Sequence, residues 1–179
     1  MERLRRFIWD LAGRLFLLLT LLSLFTVTFY YAMNATNIYI VLKDGMAKRA
    51  QVIMMDEDAS ELTKFFQSSY LQRDQNLQIA LEGKSPYTYY TVRGIDHRLK
   101  MTWMWCWPWD TTARAEFTET IPRIDGRVKS SSADAARALY GDGFEYPPKW
   151  QGGRYAATLV KENGQWHVRS LTLLAQVDE

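Results

Sequence analysis

Groups that carry out catalysis or bind metals are scarce in this sequence of 179 residues. It has one cysteine, Cys106, and two histidines, His97 and His167. A single cysteine cannot form an intrachain disulfide, and we expect Cys106 to be a small buried apolar residue rather than a reactive thiol. The cysteine and histidines do not have the spacing of a zinc site, and the sequence has neither a Gly-rich phosphate loop nor a serine in a nucleophile elbow. We therefore expect a protein that is not an enzyme and needs no cofactor.

The second absence is one of charge. Residues 15–33 read LFLLLTLLSLFTVTFYYAM and contain no Asp, Glu, Lys, Arg or His, and the next charge is Lys43. A helix of this length spans about 28 Å, close to the hydrocarbon thickness of a bilayer. The hydroxyls of its Ser and Thr residues can hydrogen-bond to the helix backbone. The sequence therefore predicts a transmembrane helix over 15–33, preceded by a short tail over 1–14.

The flanks of this stretch predict its orientation. Arg3, Arg5, Arg6 and Arg14 precede it, whereas no Lys or Arg follows it until Lys43. Because Lys and Arg favour the cytoplasmic side, we expect the amino terminus to be cytoplasmic and the bulk of the chain to be extracytoplasmic. The alternative is a cleaved signal peptide, which also has basic residues before an apolar run. The run is long for that, so we favour an uncleaved, single-pass anchor in the cell membrane.

The remainder of the chain is formally neutral. Four of the 22 basic residues and two of the 20 acidic residues precede the apolar stretch, which leaves equal numbers after it. Nucleic-acid binding needs a basic surface, so we exclude it. About 140 residues follow the anchor, the usual size of one domain. We expect a juxtamembrane hairpin or linker over 34–56 and one extracytoplasmic α+β domain over 57–179.

Periodicity and turn signals predict the elements of the outer part. Ile38, Ile40 and Leu42 alternate before Lys43-Asp44-Gly45, which indicates a hairpin. Asn163-Gly164 indicates a type I′ turn in a closing hairpin. We predict a hairpin over 37–54, helices over 56–72, 74–81 and 130–140, and strands over 87–92, 95–107, 112–121, 154–162 and 165–174.

Tryptophans recur at every second position from 103 to 109, in the predicted strand 95–107 and the corner after it. Strand spacing places Ile95, His97, Leu99, Met101, Trp103, Trp105 and Trp107 on one face. These rings either fill the concave side of the sheet or form a pocket wall or docking surface, to which Met101 would add adaptable contacts. Trp109 follows Pro108 at the corner, so we expect it to be the most exposed of the four.

An acid–base pair is the one catalytic arrangement that the residues leave open. Asp96 and His97 are sequence neighbours, so on a strand they point to opposite faces and cannot pair with each other. Asp96 or Glu116 could still meet His97 or His167 across strands. The alternative is that these are ordinary surface polar residues beside one half-buried histidine.

A helical stretch, several long strands and a closing hairpin written YAATLVKENGQWHVRSL resemble the nuclear-transport-factor-2-like fold over about residues 57–174. With a short tail and one span, the layout also resembles the inner-membrane assembly factors of type IV secretion and conjugation systems and tethered domains of sporulation channels. This resemblance implies a curved antiparallel sheet packed on helices. It also implies a non-catalytic, membrane-anchored subunit or scaffold of a bacterial envelope complex. Its partners would be the bilayer, other envelope proteins and perhaps further copies of itself. The alternative is a tethered small-ligand-binding or processing domain with a Trp-lined cavity.

Overall fold

A single helix forms the first third of the chain in the computed structural model, which describes residues 2–177. Helix α1 runs from Glu2–Met55 without interruption. The hydroxyls of Thr20, Ser23, Thr26 and Thr28 each donate to the carbonyl four residues earlier, as the sequence predicted. Residues 5–30 are exposed. By length and composition this helix could cross a membrane, and its most apolar window is not buried in the chain.

The hairpin predicted over 37–54 is wrong, because this segment is the second half of α1. Its buried positions follow a helical period along one face, and Lys43 and Asp44 lie on the exposed side. The positions that carry this period are Asn34, Ile38, Leu42, Met46, Arg49 and Ile53. The alternation of Ile38, Ile40 and Leu42 also fits a strand, but only the helix lets this face cover the inner side of the sheet. Gly45 allows close approach, since a Cβ there would lie 2.8 Å from Phe65 Cβ.

The helix predicted over 56–72 is also wrong as one element. It divides into a 3-10 helix, Ala59–Lys64, and the short helix α2, Ser68–Leu71. Between them Phe66 forms a parallel bridge with Val168, and the amide of Gln67 donates to the Val168 carbonyl at 2.9 Å. A continuous helix would need those backbone groups for itself. Helix α3, Gln75–Leu81, matches the sequence prediction.

Two antiparallel sheets follow the helices. A two-stranded sheet pairs β1, Tyr90–Ile95, with β4, Ile124–Val128, which the sequence analysis did not predict. A four-stranded sheet has the order β2-β3-β5-β6. Its strands are β2, Arg98–Trp105, β3, Thr112–Thr120, β5, Gly152–Glu162, and β6, Gln165–Val177. Asn163 and Gly164 both have positive φ, as a type I′ turn requires, so the closing hairpin is confirmed.

The core lies between the second half of α1 and the inner face of the larger sheet. Ile38 and Leu42 of α1 pack in one cluster with Phe117, Leu159 and Val168 of the strands. A further helix, α4, Ala133–Tyr140, follows a 3-10 turn over Ser130–Ser132 and ends at Gly141. The chain is therefore an α+β protein in which one helix is both an exposed apolar rod and the core helix of the folded part.

Candidate functional site

A β-bulge in β2 decides where the tryptophans point. Met101 pairs with Phe117, but Trp103 pairs with the next residue along β3, Glu116, so Thr102 is an extra residue. One extra residue reverses the alternation of faces beyond it. Leu99 and Met101 face the core before the bulge, and Met104 faces it afterwards. The prediction of one continuous face is therefore wrong beyond Met101.

All four tryptophans of the run are substantially exposed, so the core-filling interpretation is wrong for them. Trp103 and Trp105 lie on the outer face of the sheet, at 48% and 47% exposure. Trp109 is the most exposed of the four at 69%, which confirms that expectation. The ring of Trp107 meets that of Trp105 edge-on at 5.2 Å and stacks on that of Trp109 at 5.3 Å. We call residues 105–111, which carry these three contiguous rings, the tryptophan corner.

The tryptophan corner has an ordered turn that is tied to α1. The backbone amide of Trp107 donates to Asp110 Oδ2 at 3.1 Å. Asn34 Nδ2 donates to the Pro108 carbonyl at 3.2 Å, and Lys161 Nζ lies 3.5 Å from Asn34 Oδ1. Asn34 is only 2% exposed, so this contact is shielded from water. The corner is thereby fixed to α1 one residue after the apolar run 15–33.

The single cysteine lies behind the corner. Cys106 is buried, and its Sγ donates to the Trp107 carbonyl at 3.3 Å. Burial raises the pKa of the Cys106 thiol, with a smaller contribution from Asp110 in the same direction. The thiol is therefore kept in its protonated, weakly nucleophilic form, and the expectation of a buried apolar residue is confirmed.

The structure forms one buried histidine–carboxylate pair from residues that the sequence analysis did not combine. His97 Nε2 lies 3.0 Å from Glu119 Oε1, and the two side chains are 7% and 0% exposed. Glu119 Oε2 is buried and has no hydrogen-bond partner among residues 2–177. The available signal was the alternation of β3, in which Ala113, Ala115 and Phe117 face inward and Glu119 continues that face.

The carboxylates that the sequence analysis proposed for this pair lie elsewhere. Asp96 Oδ2 accepts from Arg98 Nη2 at 2.6 Å at the surface. Glu116 Oε2 accepts from Arg154 Nη2 at 2.6 Å on the outer face of the sheet. His167 lies on β6, and its Nδ1 is buried without a partner among residues 2–177. Neither Asp96 nor Glu116 joins a histidine, so those pairings are wrong.

A second buried pair closes the core near the far end of α1. Arg49 Nε donates to Asp74 Oδ2 at 2.5 Å, and Arg49 Nη2 donates to Asp74 Oδ1 at 2.9 Å. Burial would raise the pKa of Asp74, but the hydrogen bonds and positive charge of Arg49 lower it below its usual value. Burial would likewise lower the pKa of Arg49, and Asp74 raises it instead. The pair therefore stays ionised and joins α1 to the start of α3.

Solvent-filled space in the folded part lies away from both the tryptophan corner and the His97–Glu119 pair. A cleft of about 370 Å³ is lined by Tyr87, Trp150, Tyr155 and Leu173 among others, and by none of the tryptophans of 103–109. An enclosed carboxylate and imidazole can stabilise a fold, but general acid–base catalysis requires hydrogen-bond reach to a substrate. The exposed candidate site is therefore the tryptophan corner.

This chain matches no protein-family model, no curated protein and no solved structure. Its function is therefore inferred from the contacts, burial and charges of its own residues.

Proposed function

We propose that this chain is a membrane-anchored, non-catalytic subunit or scaffold of a bacterial envelope complex. The first part of α1 crosses the membrane, and the outer α+β domain contacts other proteins of the complex or further copies of itself. The fold resembles the nuclear-transport-factor-2-like class in having a helix laid across the inner face of an antiparallel sheet.

The observation that carries the proposal is the change in surroundings along α1. Residues 5–30 are exposed, Tyr31 is half-buried, and Asn34 is buried. A rod with contiguous apolar surface on all sides is unfavourable in water. In hydrocarbon the same helix is stable, because its backbone groups are paired and its hydroxyls bond to its own carbonyls. The charge-free run 15–33 thus suits the bilayer, and the folded part begins where it ends.

The basic residues of the tail support the orientation. Arg3, Arg5, Arg6 and Arg14 lie before the apolar run, and Asp10 pairs with Arg14 at 3.0 Å. Lys and Arg favour the cytoplasmic side of a membrane protein. The domain that follows α1 is then extracytoplasmic.

The absence of catalysis is supported by the enclosure of the His97–Glu119 pair. The Glu119 carboxylate is fully buried, and the cleft beside Trp150 is lined by neither residue. An exposed, formally neutral domain with an aromatic patch is better suited to binding than to proton transfer, since Trp is enriched in binding hot spots.

The test of the anchor uses two variants of the full chain expressed in bacteria. Replacing Leu19 and Leu22 by arginine should release the chain from membranes washed with alkaline carbonate, because each arginine costs about 2.5–3.5 kcal/mol at a helix centre. The matched alanine variant should stay in the membrane, like the wild type. A reporter at the carboxyl terminus should be active only outside the cytoplasm. Release of the wild type by carbonate, or a reporter active only inside, would contradict the proposal.

The test of the scaffold role is recovery of the full chain from its own membranes in mild detergent. Photo-crosslinking groups placed at exposed positions of the outer domain should give adducts of defined mass with envelope proteins or with a second copy. The same groups at the buried positions Leu42 and Phe117 serve as the control and should give none. Recovery of the chain without adducts from any exposed position would contradict a scaffold.

A second candidate function is favoured by the cleft beside Trp150. This cleft holds about 370 Å³, and the indole nitrogen of Trp150 has no hydrogen-bond partner among residues 2–177. A small aromatic or apolar ligand with one acceptor group would fit such a site. In that case a small molecule should raise the melting temperature of the wild type but not that of Trp150→Phe. The absence of any such molecule in a broad screen would leave the scaffold role as the better account.

A further inference from the structure

The height of the tryptophan corner along α1 is fixed by one buried contact. Asn34 Nδ2 donates to the Pro108 carbonyl in the middle of the corner. Asn34 directly follows the apolar run 15–33, which under the proposed function lies in the bilayer. The corner is therefore at the level where α1 leaves the hydrocarbon.

Other parts of the domain lie farther along α1. The turn at Gly164 borders a groove that is also lined by Asn37, Ile40 and Val41. The Arg49–Asp74 pair lies fifteen residues beyond Asn34, or about 22 Å along the helix. The corner is thus at the end of the domain that faces the apolar run, and the Arg49–Asp74 pair is at the other.

The chemistry of the corner suits the boundary between lipid and water. Three contiguous rings, Trp105, Trp107 and Trp109, are between 43% and 69% exposed. An indole has a large apolar body and one N–H donor, and tryptophan is enriched at membrane interfaces for that reason. The internal hydrogen bonds of the turn, from Trp107 and Asp110, leave its own polar groups partly satisfied without water.

We propose that the tryptophan corner inserts into the headgroup region of the same bilayer that α1 crosses. This second contact, which rests on the proposed function, fixes the tilt and height of the outer domain above the membrane. A single helix allows the domain to tilt and rotate. A helix together with an interfacial corner held against it at Asn34 restricts both motions.

The experiment measures tryptophan emission from the full chain in vesicles of phosphatidylcholine and phosphatidylglycerol. Part of the phosphatidylcholine carries bromine on the acyl chains near the headgroup, where it quenches only nearby indoles. We expect strong quenching of the wild type. In the variant with Trp105, Trp107 and Trp109 replaced by phenylalanine, the emission lost to brominated lipid should fall by about half. The remainder comes from Trp9, before the apolar run.

The matched control is Trp150→Phe, which removes an indole at the cleft away from the corner. It should leave the emission lost to brominated lipid unchanged. The single variant Trp109→Phe, which alters the most exposed ring, should reproduce part of the effect of the triple variant. Equal melting temperatures for all variants would exclude misfolding as the cause.

Each other outcome overturns a defined part of the argument. A chain that resists carbonate extraction but shows no quenching from the corner would retain the span and refute the interfacial contact. Corner emission that is insensitive to brominated lipid yet shielded from acrylamide would indicate a second copy or another protein in place of lipid. Extraction of the wild type by carbonate would refute the span, and the interfacial contact with it.

Discussion

Arg49 of α1 and Asp74 at the start of α3 form a bidentate ion pair in which both side chains are less than 8% exposed. Asp74 also accepts from the Leu77 amide at 3.3 Å and so caps α3, while the Tyr70 hydroxyl donates to it at 3.3 Å. A carboxylate with this many donors is costly to alter, because any change leaves a buried group unpaired. The pair therefore fixes the helical layer on the end of α1 that lies far from the apolar run.

Asp74→Asn should lower the free energy of unfolding by about 3–5 kcal/mol, because it leaves the Arg49 guanidinium buried without a counter-charge. Asparagine retains the side-chain oxygen that caps α3, so the loss reports the ion pair rather than the cap. The measurement is a urea titration of the full chain in mild detergent. The matched control is Glu82→Gln, which removes an exposed partner of Lys84 and should cost under about 1 kcal/mol.

The double variant Arg49→Met with Asp74→Asn should recover much of that loss, since removal of both charges leaves no unpaired ion in the core. If Asp74→Asn cost no more than Glu82→Gln, the enclosed ion pair would be excluded.

Acid should weaken the wild type through Asp74. Its pKa is lowered in the folded chain, where the hydrogen bonds of Arg49 outweigh the effect of burial, and it is about 3.9 when the chain is unfolded. The unfolded state therefore binds the proton more readily, so this contribution to stability is present above about pH 4 and is lost as the pH falls through the folded value. Urea titrations from pH 7 to 3 should show a steeper decline for the wild type than for Asp74→Asn. Parallel profiles for the two chains would contradict this assignment.

Gly45→Ala should destabilise the chain although alanine is the better helix former. The new Cβ would lie 2.8 Å from Phe65 Cβ, which is not at the flexible end of its side chain. Overpacking of this kind costs about 1–3 kcal/mol, which exceeds the helix-propensity gain of about 1 kcal/mol. Gly13→Ala is the matched control in the same helix, because nothing lies within 4 Å of its Cβ position. Thermal unfolding should show a lower midpoint for Gly45→Ala only, and equal midpoints would mean that α1 and Phe65 do not approach so closely.

The bulge at Thr102 predicts opposite costs for two aromatic residues in the same hairpin. Trp103→Thr should cost under about 1 kcal/mol, because Trp103 lies on the outer face after the bulge. Phe117→Ala should cost about 3–5 kcal/mol, because Phe117 is fully buried opposite Met101. Both values come from denaturant titrations of the full chain. A large loss for Trp103→Thr would place its ring in the core and contradict the bulge.

The sequence by itself determined the features that depend on local chemistry. The charge-free run 15–33, the hydroxyls that bond to its backbone, the Asn163-Gly164 turn and the alternation of β3 could all be read without the fold. Each depends on helix geometry, on positive φ or on the two-residue period of a strand. The tryptophan run was likewise evident as the most unusual stretch of the domain.

Tertiary structure decided which side of each element is used. Residues 37–54 fit both an alternating strand and a helix, and packing against the sheet selected the helix. The bulge at Thr102 depends on how β2 pairs with β3, so the exposure of Trp103 and Trp105 could not be read from their spacing. The pairing of His97 with Glu119 depends on the same register. The sequence therefore determined the apolar span and the turns, whose causes are local. Only the fold placed the tryptophan corner beside Asn34, because strand register and helix packing join residues that are far apart in the chain.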